Sequence, residues 1–279
     1  MTTWLITGCS SGLGRSLAEA VLARGDNAVV TARDVTKIHE IAEAFPDTAE
    51  LMELDVTNEQ QVQSAVETGG GRFGGVDILV NNAGFGYRSA VEEGEDDIVR
   101  RLFETHFHGP VHLVRAVLPE MRERRSGTIV NISSISARTS PAGSGFYAAA
   151  KSALEALSLS LLKEVKPLGI SVMVVEPGPF RTEFTGRSLE HSRDPIEDYA
   201  ETAGGRREEN SAVHGTQSGD PDRAALAIMR VLEAERLPFV LPLGEEALNR
   251  LLAMTDRLRS DSAAWRDVIA STDYPRSDA

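Results

Sequence analysis

Short runs of apolar residues alternate with amphipathic stretches almost from the first residue of the chain. Continuous apolar runs of this length, bounded by turn residues, are typical of parallel strands that are buried on both faces. The amphipathic stretch after each run predicts the crossover helix that such strands need. The pattern therefore predicts an α/β fold class, with a single doubly wound parallel sheet (a Rossmann fold) and helices on both faces. The predicted strands are Trp4–Thr7, Ala28–Thr31, Ala49–Leu54, Val76–Val80, Gly127–Ser133 and Ile170–Val175.

The pattern changes between residues 186 and 220, where charged residues and glycine replace the apolar periodicity. A structureless stretch of this length in a compact domain is usually a functional loop or a disordered insertion. We interpret 186–220 as a lid over the substrate, with a disordered insertion as the alternative. Helical periodicity returns over Arg223–Glu235, a short strand is predicted at Phe239–Leu241, and a second amphipathic helix runs from about Glu245 to Arg259. Since no linker or repeat divides the chain, residues 1–279 are predicted to form one domain, with 221–279 as a helical C-terminal extension.

Composition and charge narrow the possible functions. The 279 residues carry a net charge of −13, which argues against a nucleic-acid partner. Cys9 is the single cysteine of the sequence, so no intramolecular disulfide can form, and this fits a reducing compartment. The sequence shows neither a secretory signal nor an apolar run of the roughly 20 residues that a membrane span needs. A cytoplasmic protein without a membrane partner is predicted.

The first predicted strand runs directly into Gly8-Cys9-Ser10-Ser11-Gly12-Leu13-Gly14, and a helix follows. Glycines in such a turn permit a tight bend and a close approach of the backbone to a pyrophosphate. The positive end of the helix dipole then favours the negative charge. This strand, turn and helix predict a dinucleotide site.

The end of the second strand indicates which dinucleotide binds. An acidic residue there would bind the ribose hydroxyls and repel a 2′-phosphate. This chain has Ala32 and then Arg33, whose guanidinium can pair with that phosphate, and Ser10 could add a hydroxyl. NADP is therefore predicted. NAD stays possible, because a shift of two residues would make Asp34 the ribose ligand.

Asp55 follows the third predicted strand, directly before Val56. We predict that its carboxylate meets the adenine amino group. The alternative is that Asp55 caps the helix that starts near Asn58.

Tyr147 and Lys151 stand four residues apart in a predicted helix, Tyr147–Val165, so their side chains share one face. A nearby ammonium can lower the phenol pKa toward neutrality, where a tyrosine can exchange a proton with a carbonyl oxygen. Ser134, at the end of the fifth predicted strand, could hydrogen-bond that oxygen and orient it. The three residues predict interconversion of a carbonyl and an alcohol, with Tyr147 as acid and base, Ser134 orienting the oxygen and Lys151 lowering the phenol pKa.

These motifs, in this order, resemble those of the short-chain dehydrogenase/reductase (SDR) family. The C-terminal part is similar to a bacterial branch related to retinol and hydroxysteroid dehydrogenases. The matching stretches are TGCSSGLG (7–14), LDV (54–56), NNAG (81–84), SS (133–134), YAAAK (147–151) and EPGPFRT (176–182).

The resemblance implies further cofactor contacts. Asn82-Ala83-Gly84 would lie along the adenosine ribose and the central sheet, and Lys151 would also bind the nicotinamide ribose. Thr182 would lie near the nicotinamide amide or the pyrophosphate. The other predicted cofactor residues in the matching motifs are Leu13, Val56, Tyr147, Pro177, Gly178 and Phe180.

His106 departs from the family pattern, which often has a catalytic asparagine here that braces the backbone and positions a proton-relaying water. Here His106-Phe107-His108-Gly109 stands in place of Asn-x-x-Gly. We interpret His106 as a brace, with an ionising proton relay as the alternative. Of the three nearby histidines, only His108 and His112 share a helix face, so no metal site is predicted.

The sequence thus predicts an NADP(H)-dependent oxidoreductase that interconverts a carbonyl and a primary or secondary alcohol. The alternative is a non-enzymatic dinucleotide-binding sensor or partner protein with the same fold. Phe85, Phe146 and Phe180 near the motifs favour a small hydrophobic alcohol or ketone as substrate. Pairing through Tyr147–Val165 and the helix before Pro119 would give a homodimer or homotetramer.

Overall fold

The computed structural model describes residues 1–274, with positions 70 and 210–212 described by their backbone alone. The last five residues of the predicted extension, 275–279, lie outside the described residues. The described chain contains nine strands: β1 (Thr3–Ile6), β2 (Asn27–Ala32), β3 (Ala49–Glu53), β4 (Ile78–Asn81), β5 (Gly86–Arg88), β6 (Gly127–Ile132), β7 (Ile170–Pro177), β8 (Leu189–His191) and β9 (Val240–Leu243).

Seven of these strands form one parallel sheet in the order β3-β2-β1-β4-β6-β7-β9. The chain builds outward from β1 to β3, then returns to the other side of β1 and builds outward again. Such a reversal opens a crevice at the carboxyl ends of β1 and β4, where α/β sheets bind ligands. The predicted fold class is confirmed.

Twelve helices surround the strands within the described part of the chain. They are α1 (Gly12–Ala23), α2 (His39–Ala44), α3 (Glu59–Ser64), α4 (Gly70–Arg72), α5 (Asp96–Phe103), α6 (Gly109–Arg124), α7 (Ser136–Thr139), α8 (Gly145–Val165), α9 (Gly205–Ala212), α10 (Pro221–Leu232), α11 (Glu245–Ala264) and α12 (Arg266–Ala270).

The helices bury both faces of the large sheet. One face packs against α1 and α10, whose Leu17 and Ile228 are fully buried in the same apolar cluster. The other face packs against α3, α6 and α8 through side chains such as Leu113 and Leu161. Burial on both faces explains why the strands have continuous apolar runs rather than alternation.

A π-helical turn at Glu104–His108 joins α5 to α6 without a break. Such turns insert a residue into the helical ladder and often occur at functional sites. Here the turn contains His106, which is buried with 1% of its surface exposed. The turn therefore places an imidazole at the carboxyl edge of the sheet.

The segment 186–220 has more structure than its composition predicts. Its β8 pairs in parallel with β5 in a separate small sheet, and α9 follows. Glu93 holds the segment in place: its carboxylate binds the Arg207 guanidinium at 2.8 Å, the Ser192 hydroxyl at 3.0 Å and the Ile196 N–H at 2.9 Å. The expectation of a structureless stretch is wrong, because these partners lie about a hundred positions apart in the sequence and leave no local pattern. Among the helices of residues 1–274, none has the length and apolarity that a membrane span requires.

Candidate active site

One cavity of about 780 Å³ runs along the carboxyl edge of the sheet, from the glycine-rich turn to the segment 186–220. It brings together the predicted site residues except Gly14. Those that line it are Gly8, Ser10, Ser11, Gly12, Leu13, Arg33, Asp55, Val56, Asn82, Ala83, Gly84, His106, Ser134, Tyr147, Lys151, Pro177, Gly178, Phe180 and Thr182.

The glycine-rich turn is shaped by its positive φ angles and by Asn82. Gly8 and Gly12 have φ values of +73° and +61°, which favour glycine. The Asn82 amide donates to Thr7 O at 2.8 Å and Gly8 O at 3.2 Å, which ties the turn to β4. A Cβ at Gly14 would lie 2.3 Å from Nδ2 of Asn82. Gly14 therefore lets α1 pack closely against Asn82 and does not line the cavity.

The turn leaves a cradle in front of α1. A Cβ at Gly12 would lie 3.0 Å from the Thr182 side chain, so the two residues face each other across a narrow gap. The backbone N–H groups at a helix start suit a phosphate group. These residues therefore fit the pyrophosphate of a dinucleotide, with Thr182 beside it.

At the far end of the cavity, Arg33 and Asp34 have different surroundings. Arg33 is exposed and lines the cavity next to Ala32. The Asp34 carboxylate instead accepts hydrogen bonds from the backbone and hydroxyl of Thr36, at 3.1 and 2.5 Å. The carboxylate of Asp34 is thus used within its own turn, which leaves Arg33 and Asp55 as the charged residues that line this end of the cavity.

Asp55 also makes a local turn, since its Oδ1 accepts from the Thr57 N–H at 3.0 Å and the Thr57 hydroxyl at 2.7 Å. The helix cap proposed as its alternative role belongs to Asn58, whose side chain accepts from the N–H groups of Gln60 and Gln61. Asp55 lines the cavity, and these contacts use only one of its carboxylate oxygens.

Ser134, Tyr147 and Lys151 meet at the middle of the cavity. Ser134 Oγ accepts a hydrogen bond from the Ser136 N–H at 3.1 Å, so its hydroxyl proton is available to a substrate oxygen, and the Ser134 hydroxyl lowers the pKa of Tyr147. The Lys151 ammonium lies 5.9 Å from the centre of the Tyr147 ring and donates to Ile132 O at 2.7 Å. The arrangement can hold a carbonyl oxygen against a phenol.

The electrostatics at Tyr147 differ from the sequence-based expectation. Burial raises the pKa of Tyr147 to about 12, and the charge of Arg88 and the Ser134 hydrogen bond oppose that rise. Burial also lowers the pKa of Lys151 to about 7, against the opposing charge of Glu155. The expected depression of the phenol pKa by Lys151 is therefore wrong for the protein alone. The lysine charge favours the phenolate, but the cost of burying both groups outweighs it.

His106 braces the backbone directly before β5. Its Nε2 lies 2.7 Å from Phe85 O and 3.2 Å from Phe85 N, and its ring packs edge-on against Tyr147 with centroids 5.4 Å apart. Burial lowers its pKa well below the ordinary value, and the Lys151 charge lowers it further. The imidazole is therefore neutral near pH 7, which fits the brace better than an ionising relay. Within residues 1–274 no three His, Cys, Asp or Glu side chains are grouped to hold a metal ion.

Comparison with known proteins identifies the family. A family model of the short chain dehydrogenases matches residues 2–193. The chain belongs to the short-chain dehydrogenase family. The oxidoreductase BOA17 of Botryotinia fuckeliana is 33% identical to this dehydrogenase over 266 residues, which cover 95% of this chain and 97% of that protein.

Solved structures agree with this family. A short-chain dehydrogenase from Streptomyces avermitilis is 42% identical with a TM-score of 0.91, and the match covers 98% of this chain and 100% of that one. A short-chain dehydrogenase from Sphingobium yanoikuyae in complex with NADPH is 25% identical with a TM-score of 0.74, over 100% and 98% of the two chains. The protein is therefore an oxidoreductase of the kind that acts on CH–OH or carbonyl groups with a nicotinamide dinucleotide.

Sequence reasoning missed a buried polar network behind the lysine of this dehydrogenase. Ser133 donates to Glu155 at 2.5 Å, and Arg138 joins the carboxylates of Glu155 and Glu176 at 2.9 Å each. Burial raises the pKa of Glu155 to about 7, and the neighbouring Glu176 adds to the rise. Glu155 stands four positions after Lys151 on α8, so the i, i+4 spacing could have revealed that the two share a helix face.

Arg88 and Phe184 are two further cavity residues that the sequence did not reveal. The Phe184 ring lies 5.5 Å from the Tyr147 ring, and the Arg88 guanidinium carbon lies 5.7 Å from the same ring. Arg88 belongs to the three-residue β5, which is too short to show a periodic pattern.

Proposed function

We propose that this dehydrogenase is an NADP(H)-dependent enzyme that interconverts a ketone or aldehyde and its alcohol, with Tyr147 as the proton donor. The observation that carries the proposal is the meeting of Ser134, Tyr147 and Lys151 in the cavity that the glycine-rich turn opens into. When bound, the reduced cofactor supplies a hydride to the carbonyl carbon, and its oxidised form accepts one in the reverse direction.

Each side chain then has a role that its surroundings support. Tyr147 stays a neutral phenol near pH 7, since its pKa is about 12, and a neutral phenol is the form that can give a proton to a carbonyl oxygen. Ser134 orients that oxygen through its hydroxyl. The Arg88 charge and the Ser134 hydrogen bond stabilise the phenolate left behind. Lys151, with its pKa near 7, can return a proton to the phenolate and bind the nicotinamide ribose.

The preference for NADP over NAD rests on Arg33. The exposed guanidinium lines the cavity where the adenosine ribose of a dinucleotide would reach, and Asp34 bonds Thr36 instead. A guanidinium pairs well with a phosphate group. The ribose of NAD has no 2′-phosphate and would therefore gain no such pair with Arg33. These contacts support NADP as the cofactor.

The proposal also takes the segment 186–220 as the substrate lid. The segment contributes Arg187, Glu190 and Arg206 to the cavity wall on the side of Tyr147, away from Arg33. Loops that cover a reaction site exclude water and complete the catalytic arrangement. Assembly as a homodimer or homotetramer through α8, whose Leu159 is 41% exposed, and a cytoplasmic location are further parts of this proposal.

The test is turnover of NADPH by the purified protein with a panel of ketones and aldehydes, and of NADP⁺ with the matching alcohols. We expect oxidation of NADPH that depends on the carbonyl compound and yields the alcohol in equal amount. Tight binding of NADPH without turnover of any panel member would favour the non-enzymatic sensor instead.

A further inference from the structure

Arg88 carries a buried charge beside Tyr147. Its side chain is 3% exposed, and its Nη1 donates to Tyr87 O at 3.0 Å. Its Nε has no hydrogen-bond partner, and among residues 1–274 no carboxylate forms an ion pair with it. A buried charge without an opposite charge is costly, so an anion bound here would be stabilised.

Arg88 differs from the charged residues around it: Asp55 lies with Arg33 at the adenosine end, and the glutamates of the cavity wall are all paired. The cavity-lining glutamates each pair with an arginine: Glu183 with Arg187, Glu190 with Arg101, Glu209 with Arg206, and Glu246 with Arg250. The cations that remain are Arg33 at the adenosine end, Lys151 beneath Tyr147, and Arg88. Apart from Lys151, which serves the phenol of Tyr147, the substrate side of the cavity thus has one unpaired positive charge, that of Arg88.

This charge persists at neutral pH. Burial lowers the pKa of Arg88 to about 10, and the Arg206 charge adds to the fall. The phenol of Tyr147 does not neutralise it, because that group loses its proton only near pH 12. In the resting enzyme, where Tyr147 is a neutral phenol, a negative charge opposite Arg88 can therefore come only from a bound molecule.

We propose that Arg88 binds a carboxylate on the substrate, so that the enzyme acts on oxo acids and the corresponding hydroxy acids. This inference rests on the proposed function and names its substrate class. One guanidinium edge matches the two oxygens and the single charge of a carboxylate. Phe85 and Phe184 line the same region and Phe146 packs behind it, so the part of the substrate next to the carboxylate meets aromatic rings.

The first experiment uses the unmodified enzyme with NADPH. A series of 2-oxo, 3-oxo and 4-oxo acids is compared with the methyl ester of each acid. We expect the best acid to exceed its ester in kcat/KM by about 10- to 100-fold, the range of a charge-assisted hydrogen bond at a buried site. A simple aliphatic carboxylate should inhibit competitively against the oxo acid, and its amide should not.

The second experiment measures the same acid-to-ester ratio in Arg88→Gln. The ratio should fall to near one, because glutamine has no charge to pair with the carboxylate. The ester serves as an internal reference, since any loss of activity through Tyr147 affects the acid and the ester alike. The matched control is Arg101→Gln, since Arg101 lines the same cavity but pairs with Glu190. Its ratio should change by no more than about two-fold, as expected for an exposed ion pair.

Arg88→Lys is included in case the glutamine variant does not fold, with circular dichroism and NADPH binding as the checks. Lysine keeps the charge and loses the planar fork, so the ratio should fall only part of the way. Esters reduced as well as acids by the unmodified enzyme would overturn the carboxylate proposal and leave the proposed function intact. Failure to reduce any carbonyl compound would instead count against the proposed function itself.

Discussion

Tyr147 combines a buried phenol with two groups that favour its ionised form. Burial dominates and keeps the proton in place, while Ser134 and Arg88 limit the cost of releasing it. Replacing Tyr147 by Phe removes the donor and keeps the ring contacts with His106 and Phe184. We expect turnover in Tyr147→Phe to fall by about 100-fold or more, the effect of losing a positioned acid.

Binding of NADPH to Tyr147→Phe, followed by fluorescence, should stay close to that of the unmodified protein. The assignment of Tyr147 as donor would be wrong if the variant kept most of its turnover on a confirmed substrate. Equal loss of binding and turnover would indicate a structural role for the hydroxyl.

At the adenosine end, Arg33 is expected to select NADPH over NADH by about 10- to 150-fold in affinity, the range of a charge-assisted pair. Arg33→Ala should remove most of this preference by weakening NADPH binding, with little change for NADH. Titration of the unmodified enzyme and of Arg33→Ala with NADPH and with NADH measures the effect. The prediction fails if the unmodified enzyme binds the two cofactors equally.

His106 is neutral at the pH where the enzyme is expected to work, because burial and the Lys151 charge hold its pKa well below 6.5. Asparagine can make the same contact with the Phe85 backbone. We therefore expect His106→Asn to keep kcat/KM within a few-fold and to leave the pH profile unchanged. We assign any change of kcat/KM with pH near pH 7 to Lys151, and it should persist in both the unmodified enzyme and His106→Asn. A pH dependence of kcat/KM that is lost in His106→Asn would show that the imidazole ionises during the reaction.

At the scale of elements, Glu93 connects two parts of the chain that meet only in the folded state. Its side chain is fully buried and binds the Arg207 guanidinium, the Ser192 hydroxyl and the Ile196 N–H. We expect Glu93→Gln to loosen the segment 186–220, because the amide cannot replace the charge beside Arg207.

The expected result for Glu93→Gln is a KM raised by about 10-fold, with a smaller change in kcat and faster proteolysis within 186–220. Glu123→Gln, at an exposed position on α6, is the matched control. An increase in proteolysis without any change in KM would separate the segment from substrate binding and so contradict its role as a lid.

For the whole molecule, the buried Lys151 makes stability depend on pH. Its pKa is about 7 in the folded protein and 10.5 as the ordinary value, so between these limits the unfolded chain binds more protons. Stability must therefore rise with pH over this window, by at most about 1.4 kcal/mol per pH unit from this group. Glu155 acts in the opposite direction between 4.5 and about 7, where its raised pKa makes stability fall as pH rises.

Urea unfolding of the unmodified protein and of Lys151→Met between pH 7 and 9 measures this effect. We expect the unfolding free energy to rise with pH in the unmodified protein and to rise much less in the variant. Above pH 9, the buried Cys9, whose pKa is raised to about 12, opposes this rise. Parallel curves for the two proteins between pH 7 and 9 would show that Lys151 is fully protonated in the folded state.

The local pattern of the sequence was sufficient for the large sheet and for much of the cavity wall. Continuous apolar runs predict buried parallel strands, and Gly8 and Gly12 occupy backbone angles that favour glycine. Tyr147 and Lys151 share a helix face because their spacing matches the helical repeat. In each case the information lies within a few residues, so the sequence determines it without knowledge of distant contacts.

The tertiary structure decided what depends on burial and on partners far apart in the chain. The pairing of β5 with β8 and the contact of Glu93 with Arg207 join positions about a hundred residues apart, where no periodicity connects them. The protonation states of Tyr147 and Lys151 follow from their removal from water, and a spacing between residues does not report this. The free charge of Arg88 is visible only once every neighbouring carboxylate has been assigned its partner, because charge balance is a property of the folded cavity.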